Sequence, residues 1–140
     1  MFNFDVLIIG SGLAGLSTAV KLASHKKVAI ISKRKLADSS SHWAQGGIAA
    51  VMSDDDSPES HINDTKTAGA GLCNLDVTKF VVENGQKSLD WLTKTGVNFT
   101  TDSDTKKFHL TKEGGHSHRR IAHVADATGR AMRDKLIKTA

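Results

Sequence analysis

The sequence has no tyrosine, one cysteine, one proline and only 5% aromatic residues. A lone Cys73 rules out an internal disulfide and fits a reducing compartment. Its residue type reads as a small buried hydrophobe rather than a nucleophile. Single-stranded nucleic-acid binding interleaves aromatic stacking residues with basic ones, and this chain is short of them. There is no long hydrophobic run. The first apolar stretch, Val6-Leu7-Ile8-Ile9, is far too short for a signal-peptide core or a membrane span. These absences predict a soluble, cytoplasmic protein with neither nucleic acid nor membrane as a partner. No internal repeats are visible.

What is present is enough for one domain and no more: 140 residues, 39% hydrophobic and 24% charged. The net charge of +4 is scattered and reads as solvated surface, with some bias towards anionic ligands. The apolar runs at 5–9 and 28–31 predict two buried strands. Between them, residues 14–24 place Leu16, Ala19, Val20 and Ala23 on one helical face. The three elements make a βαβ unit of about 30 residues.

Further along, Ser57-Pro58-Glu59 opens a helix with a cap, a first-turn proline and an acid, and it should end near Gly69 or Gly71. A longer helix is predicted over 76–94, with Val77, Phe80, Val81, Leu89 and Leu92 as its apolar face and Gly96 as terminator. Residues 97–100 read as a short strand, 101–107 as a polar turn and 108–125 as irregular. A last helix spans 128–140 with Met132, Leu136 and Ile137 inward. Asp54-Asp55-Asp56 reads as a surface loop, since it lacks the spacing of a calcium loop.

The strongest motif is Gly10-Ser11-Gly12-Leu13-Ala14-Gly15. It follows a strand, opens a helix and lies inside a βαβ unit, the setting that makes GxGxxG meaningful. Gly10 permits the tight turn, Gly12 the approach of backbone to a pyrophosphate, and Gly15 close helix–sheet packing. The helix N-terminus then offers N–H groups to phosphate. The acid that usually binds ribose about 20 residues on is missing; Ser32-Lys33 stands there instead. Ser32 can still bond a ribose hydroxyl, and Lys33 adds positive charge. The motif thus fixes a dinucleotide without choosing between FAD and NADP.

The stretch Ser39-Ser40-Ser41-His42-Trp43-Ala44-Gln45-Gly46-Gly47-Ile48-Ala49-Ala50 resembles the flavin-contacting loop of the fumarate reductase, succinate dehydrogenase and L-aspartate oxidase superfamily. Residues 109–120, His-Leu-Thr-Lys-Glu-Gly-Gly-His-Ser-His-Arg-Arg, followed by Asp126-Ala127-Thr128-Gly129, resemble the L-aspartate oxidase branch. The resemblance implies an α/β, Rossmann-like FAD-binding domain with a parallel sheet, and FAD seated against Ala44–Gly47. In the membrane-bound relatives a histidine five residues before the glutamine carries a covalent flavin. That position is Ser40 here and His42 is out of register, so the flavin is expected to be non-covalent.

Glu113 stands where those relatives have an apolar residue. In L-aspartate oxidases this glutamate is linked to the substrate's α-amino group, which suits the charge: an amino acid has a cationic nitrogen and succinate has none.

The reaction so implied is oxidation of L-aspartate to iminoaspartate, with FAD reoxidised by oxygen or fumarate, leading towards quinolinate and NAD, with quinolinate synthase as a possible partner. The alternatives are a soluble fumarate reductase-like flavoprotein and a non-catalytic nucleotide-binding fragment. By the same resemblance, residues 1–140 are the N-terminal part of the FAD-binding domain. A capping domain with further substrate ligands and a helical C-terminal domain are expected outside them, and the 140 residues alone are expected to be inactive.

His116 and His118 could form a metal pair, but no thiolate or well-spaced third ligand accompanies them. They are expected either to shape the flavin and substrate site or to make structural hydrogen bonds. Arg119 and Arg120 could pair with carboxylates or phosphate. Trp43 is expected near the flavin and Trp91 in the core.

Overall fold

In the computed structural model, which describes residues 2–36 and 38–140, the chain opens with the expected βαβ unit. β1 (Val6–Ile9) leads through α1 (Leu13–Leu22) to β2 (Val28–Ile31). The strands are parallel, with Val6 opposite Val28 and Ile9 opposite Ile31. Helix α1 buries Leu16 and Ala19 as its spacing predicts, while Ala23 stays exposed. The strands themselves are not the buried ones expected. Ile8 faces α1 beside Gly15. Leu7 and Ile9 alternate to the other face and are 58% and 81% exposed. A parallel strand is buried only when both faces are covered, and α1 covers one.

After β2 come a one-turn helix α2 (Ser40–Trp43) and a two-residue strand β3 (Ile48–Ala49). Helix α3 (Pro58–Ala68) starts as predicted, the Ser57 hydroxyl accepting from Ser60 N at 3.1 Å, and gives way at Gly69. The single helix expected over 76–94 is two: α4 (Leu75–Glu83) and α5 (Gly85–Thr95), jointed at Asn84. Gly85 lies against Ala50, whose Cβ would be 3.3 Å from any Cβ added there. The buried stripe runs through the joint, from Thr78 and Val82 to Leu89 and Leu92. Leu89 and Leu92 enter the core, but Val77, Phe80 and Val81 remain exposed, against the expectation of one shared face. Gly96 ends α5 in the left-handed region, φ 97°, as a glycine terminator does.

Residues 97–100 form no strand, although Val97 and Phe99 are buried. The 108–125 region is more ordered than expected: β4 (Leu110–Thr111) and β5 (Ile121–Ala122) pair antiparallel, and β3 joins on the other side of β5. Helix α6 (Thr128–Thr139) closes the chain and packs on α1 and α2. The core gathers Leu16, Ala50, Leu89, Phe99, Met132 and Leu136, with Ile137 and Trp91 at its margin. Among the described residues, no helix is long and apolar enough to cross a membrane.

Candidate FAD and substrate site

The phosphate loop leaves β1 at Gly10, which is pinned by its N–H to Ile31 O at 2.8 Å and takes φ 113°, a conformation open to glycine. Gly12 caps α1 with no side-chain hydrogen bond. A Cβ on Gly10 would meet nothing within 4 Å, and one on Gly12 would meet only Ser41 Oγ, at 3.5 Å. The concave side of the turn is therefore empty where side chains would otherwise stand. Gly15 serves a different end: a Cβ there would collide with the Gly10 carbonyl, so this glycine seats the helix on its own loop. Leu13 and Ala14 complete the first turn, and Leu13 N donates to Ser41 Oγ at 3.2 Å. Ser11 is buried, and its hydroxyl bonds Ser32 Oγ at 3.0 Å, tying the loop to the end of β2.

Beside this turn lies a cavity of about 390 Å³ lined by Ser32, Lys33, Arg34, Asp38, Ser39, Ser40 and Trp43. Its wall carries cations and hydroxyls. The Ser39 hydroxyl is buried with no hydrogen-bond partner among the described residues. A buried polar atom without a partner is costly, and a ligand hydroxyl or phosphate oxygen would relieve it. The empty glycine turn, the helix N-terminus and this orphaned hydroxyl together fit a dinucleotide. Ser39 and Arg34 were not among the predicted cofactor residues; Ser39 belongs to the serine run that carries the resemblance, and only its burial marks it out.

The second half of the site is the 40–47 segment. Trp43, Ala44, Gln45 and Gly46 are exposed, offering an open backbone platform. Its underside is held in three places. Gly129 N donates to Ala44 O at 3.1 Å, and a Cβ on Gly129 would strike Ser41 O. A Cβ on Gly47 would strike Ala122 O, so that glycine lets the loop cross β5. Arg133, buried on α6, reaches His42 Nδ1 at 2.5 Å. Gly129 and Arg133 are thus the supports of the loop that local reading could not identify.

Glu113 comes to the same place. A Cβ on Gly46 would stand 2.9 Å from Glu113 Oε1, so the exposed carboxylate lies directly over the Gly46 backbone. The structure brings together the two motifs that the sequence keeps more than sixty residues apart.

Behind Glu113 sits an ionic cluster. Arg120 is fully buried. It holds Asp56 with two bonds, of 2.8 and 2.7 Å, and Asp64 with one of 2.7 Å. Asp56 is therefore not the surface residue that the Asp54–Asp56 run suggests: its side chain is fully buried, while Asp54 and Asp55 stay outside. Burial opposes ionisation of Asp56, but hydrogen bonds from Arg120 and Ser57 N outweigh it and hold its carboxyl below the ordinary 3.8. The Ser117 backbone N–H, with the Ser117 hydroxyl and Arg120, pulls Asp64 down further. His61 is lowered below 6.5, first by burial and then by the charges of Arg120 and His116. His118 bonds Ser60 Oγ at 3.1 Å, and His116 lies 3.3 Å from Arg120. These two histidines thus make structural contacts within the cluster. Among the described residues, no group of three His, Cys, Asp or Glu is arranged to hold a metal. Cys73 is half-buried, its thiol facing Thr65 O at 3.4 Å.

A glycine turn on a βαβ unit, a hydroxyl-lined cavity and an open backbone platform define a dinucleotide-binding domain. Consistent with that, the chain belongs to the FAD binding domain family, which matches residues 5–140, and FAD is its cofactor. It is 54% identical over 136 residues to L-aspartate oxidase 1 of Ralstonia nicotianae, covering 96% of this chain and 26% of that protein. To the L-aspartate oxidase of Pseudomonas aeruginosa it is 49% identical, covering 99% of this chain and 27% of that one. The chain thus spans about a quarter of the length of these curated relatives. Among solved structures, E. coli quinol fumarate reductase superposes with a TM-score of 0.90 at 34% identity, covering 99% of this chain and 24% of that one. Mycobacterium smegmatis Sdh1 gives 0.89 at 29% identity, with 97% and 23% covered.

Proposed function

We propose that the full-length protein oxidises L-aspartate to iminoaspartate, with oxygen or fumarate as the final electron acceptor. The observation that carries this reading is the Glu113 carboxylate over Gly46. The platform 44–47 would take the isoalloxazine, and a carboxylate beside it offers a partner to an α-ammonium. FAD, when bound, supplies the two-electron acceptor for the Cα–H bond. The chain's own part is to bind and orient. Gly10, Gly12 and the α1 N-terminus would hold the pyrophosphate; Ser32, Lys33 and Ser39 would take the adenosine end. Glu113 would hold the ammonium so that Cα faces the ring. The similarity to L-aspartate oxidases supports the same substrate and, with it, a place in NAD biosynthesis, a cytoplasmic setting and quinolinate synthase as a downstream partner.

Glu113→Gln in the full-length enzyme tests the assignment. A charge-assisted contact is worth about 1.5–3 kcal/mol. The substitution should therefore lower kcat/KM for L-aspartate by roughly one to two decades relative to kcat/KM for fumarate reduction. Equal loss of both activities would remove the reason to prefer an amino dicarboxylate, and would favour a fumarate reductase-like flavoprotein.

The same reading makes the flavin non-covalent. Ser40 has no ring nitrogen to bond the flavin, and His42 is engaged by Arg133 on α6. Acid precipitation of the full-length protein should leave FAD in the supernatant; yellow precipitate would point to His42 as a link.

A further inference from the structure

We infer that Asp64, on α3, is the positioning residue for Glu113, and that this helix thereby sets the preference for an amino dicarboxylate. The inference rests on Glu113 meeting the ammonium. Glu113 begins the turn between β4 and β5, closed by His116 N to Glu113 O at 3.3 Å with Gly115 at φ 82°. A turn with two adjacent glycines, Gly114 and Gly115, has little stiffness of its own. It is gripped from one side. A single oxygen, Asp64 Oδ2, accepts from Ser117 N at 2.8 Å, from Ser117 Oγ at 2.8 Å and from Arg120 at 2.7 Å.

Asp64 is itself fixed. It stands on a helix one turn after Ser60, on the same face. Ser60 Oγ meets Ser117 Oγ at 3.2 Å and Arg120 at 3.3 Å. Arg120, fully buried, cannot turn away. Within the turn itself, Lys112 Nζ donates to Ser117 O at 3.0 Å. The Ser117 end of the turn is therefore held, and Glu113, at its other end, lies over Gly46. Without Asp64 the Ser117 N–H loses its acceptor, and Glu113 would sample many positions over the platform. Misplacement of a binding group by about 1 Å can cost up to about a hundredfold in rate.

The experiment uses the full-length holoenzyme. Asp64→Ala should lower the ratio of kcat/KM for L-aspartate to that for fumarate reduction by about tenfold, mainly through KM. FAD content should stay near one per chain. The Kd for succinate, read from flavin absorbance, should change less than about twofold, because succinate has no ammonium for Glu113 to meet. Asp64→Asn, which keeps an acceptor oxygen, should recover most of the loss. In a Glu113→Gln background Asp64→Ala should add less than about twofold.

If Glu113→Gln alone leaves the ratio unchanged, the substrate assignment fails. If it shifts the ratio but Asp64→Ala does not, or acts additively with it, only the positioning role fails. If Asp64→Ala loses its flavin, Ser117→Ala decides, since it removes one bond to Asp64 and spares the ion pair with Arg120. A smaller drop of the same ratio upholds the role; no change overturns it.

Discussion

Arg120→Met is expected to destabilise the full-length protein by about 3–5 kcal/mol, the cost of leaving a buried charge without its partner. The expected loss comes from Asp56, whose side chain has no access to solvent and takes two bonds from this guanidinium. Asp64 is less exposed to the loss, because it keeps both Ser117 donors and reaches water. Adding Asp56→Asn to Arg120→Met should therefore restore part of the stability, although it removes another polar contact. A shift in the urea midpoint, followed by tryptophan fluorescence, is the measurement; a midpoint like wild type in Arg120→Met would mean that the cluster is only decorative.

The same cluster gives the stability a direction in pH. Asp56 and Asp64 have folded pKa values below the ordinary 3.8, so their contribution is complete above that value and is lost as pH falls through and below it. His61, a base with a lowered folded pKa, binds its proton less readily in the folded state. It begins to cost stability as pH falls below its ordinary 6.5. Both effects act on the acid side, and wild type should lose stability in two stages there. The carboxylate stage should shrink in Arg120→Met.

Gly12→Val should give a folded protein that purifies without FAD. The fold tolerates the change because Gly12 has φ −72° and its added Cβ would meet only Ser41 Oγ. The ligand does not tolerate it, because a branched side chain would fill the space through which backbone approaches the pyrophosphate. Gly15→Ala should fail differently, by disturbing the fold, since its Cβ has nowhere to go but into the Gly10 carbonyl. Flavin absorbance and circular dichroism separate the two outcomes. Normal flavin content in Gly12→Val would mean that this turn does not face the phosphates.

What could be read from the sequence was local. The β1–α1–β2 unit was legible because strand, turn and helix are encoded within one continuous stretch, and the cap at Ser57 for the same reason. The joint at Asn84 was not. The apolar spacing runs on through it, and so does the buried stripe of Thr78, Val82, Leu89 and Leu92. Strands of two residues, such as β4 and β5, carry no periodicity to detect. Asp56 looked like one of three solvated acids; its burial depends on an arginine 64 residues away. The phosphate turn with Ser32 and Lys33 was named by its motif, and the 40–47 loop and Glu113 by resemblance to a family. Their meeting, Glu113 over Gly46, is a matter of tertiary structure.

The seat of Gly129 against Ser41 and Ala44 has a consequence for the order in which the molecule can assemble. Residues 5–32 contain the strand pairing of the phosphate turn, but α1 also packs on α6 and Leu13 N donates to Ser41 Oγ, so the turn too is completed by later residues. The 40–47 platform waits on the same helix, because its support at Gly129 arrives only with α6. Synthesis proceeds from the N-terminus, and distant closures come late. A nascent chain arrested between residues 50 and 128 would lack the helix that supports both α1 and the platform, so cofactor capture is expected to follow the translation of α6.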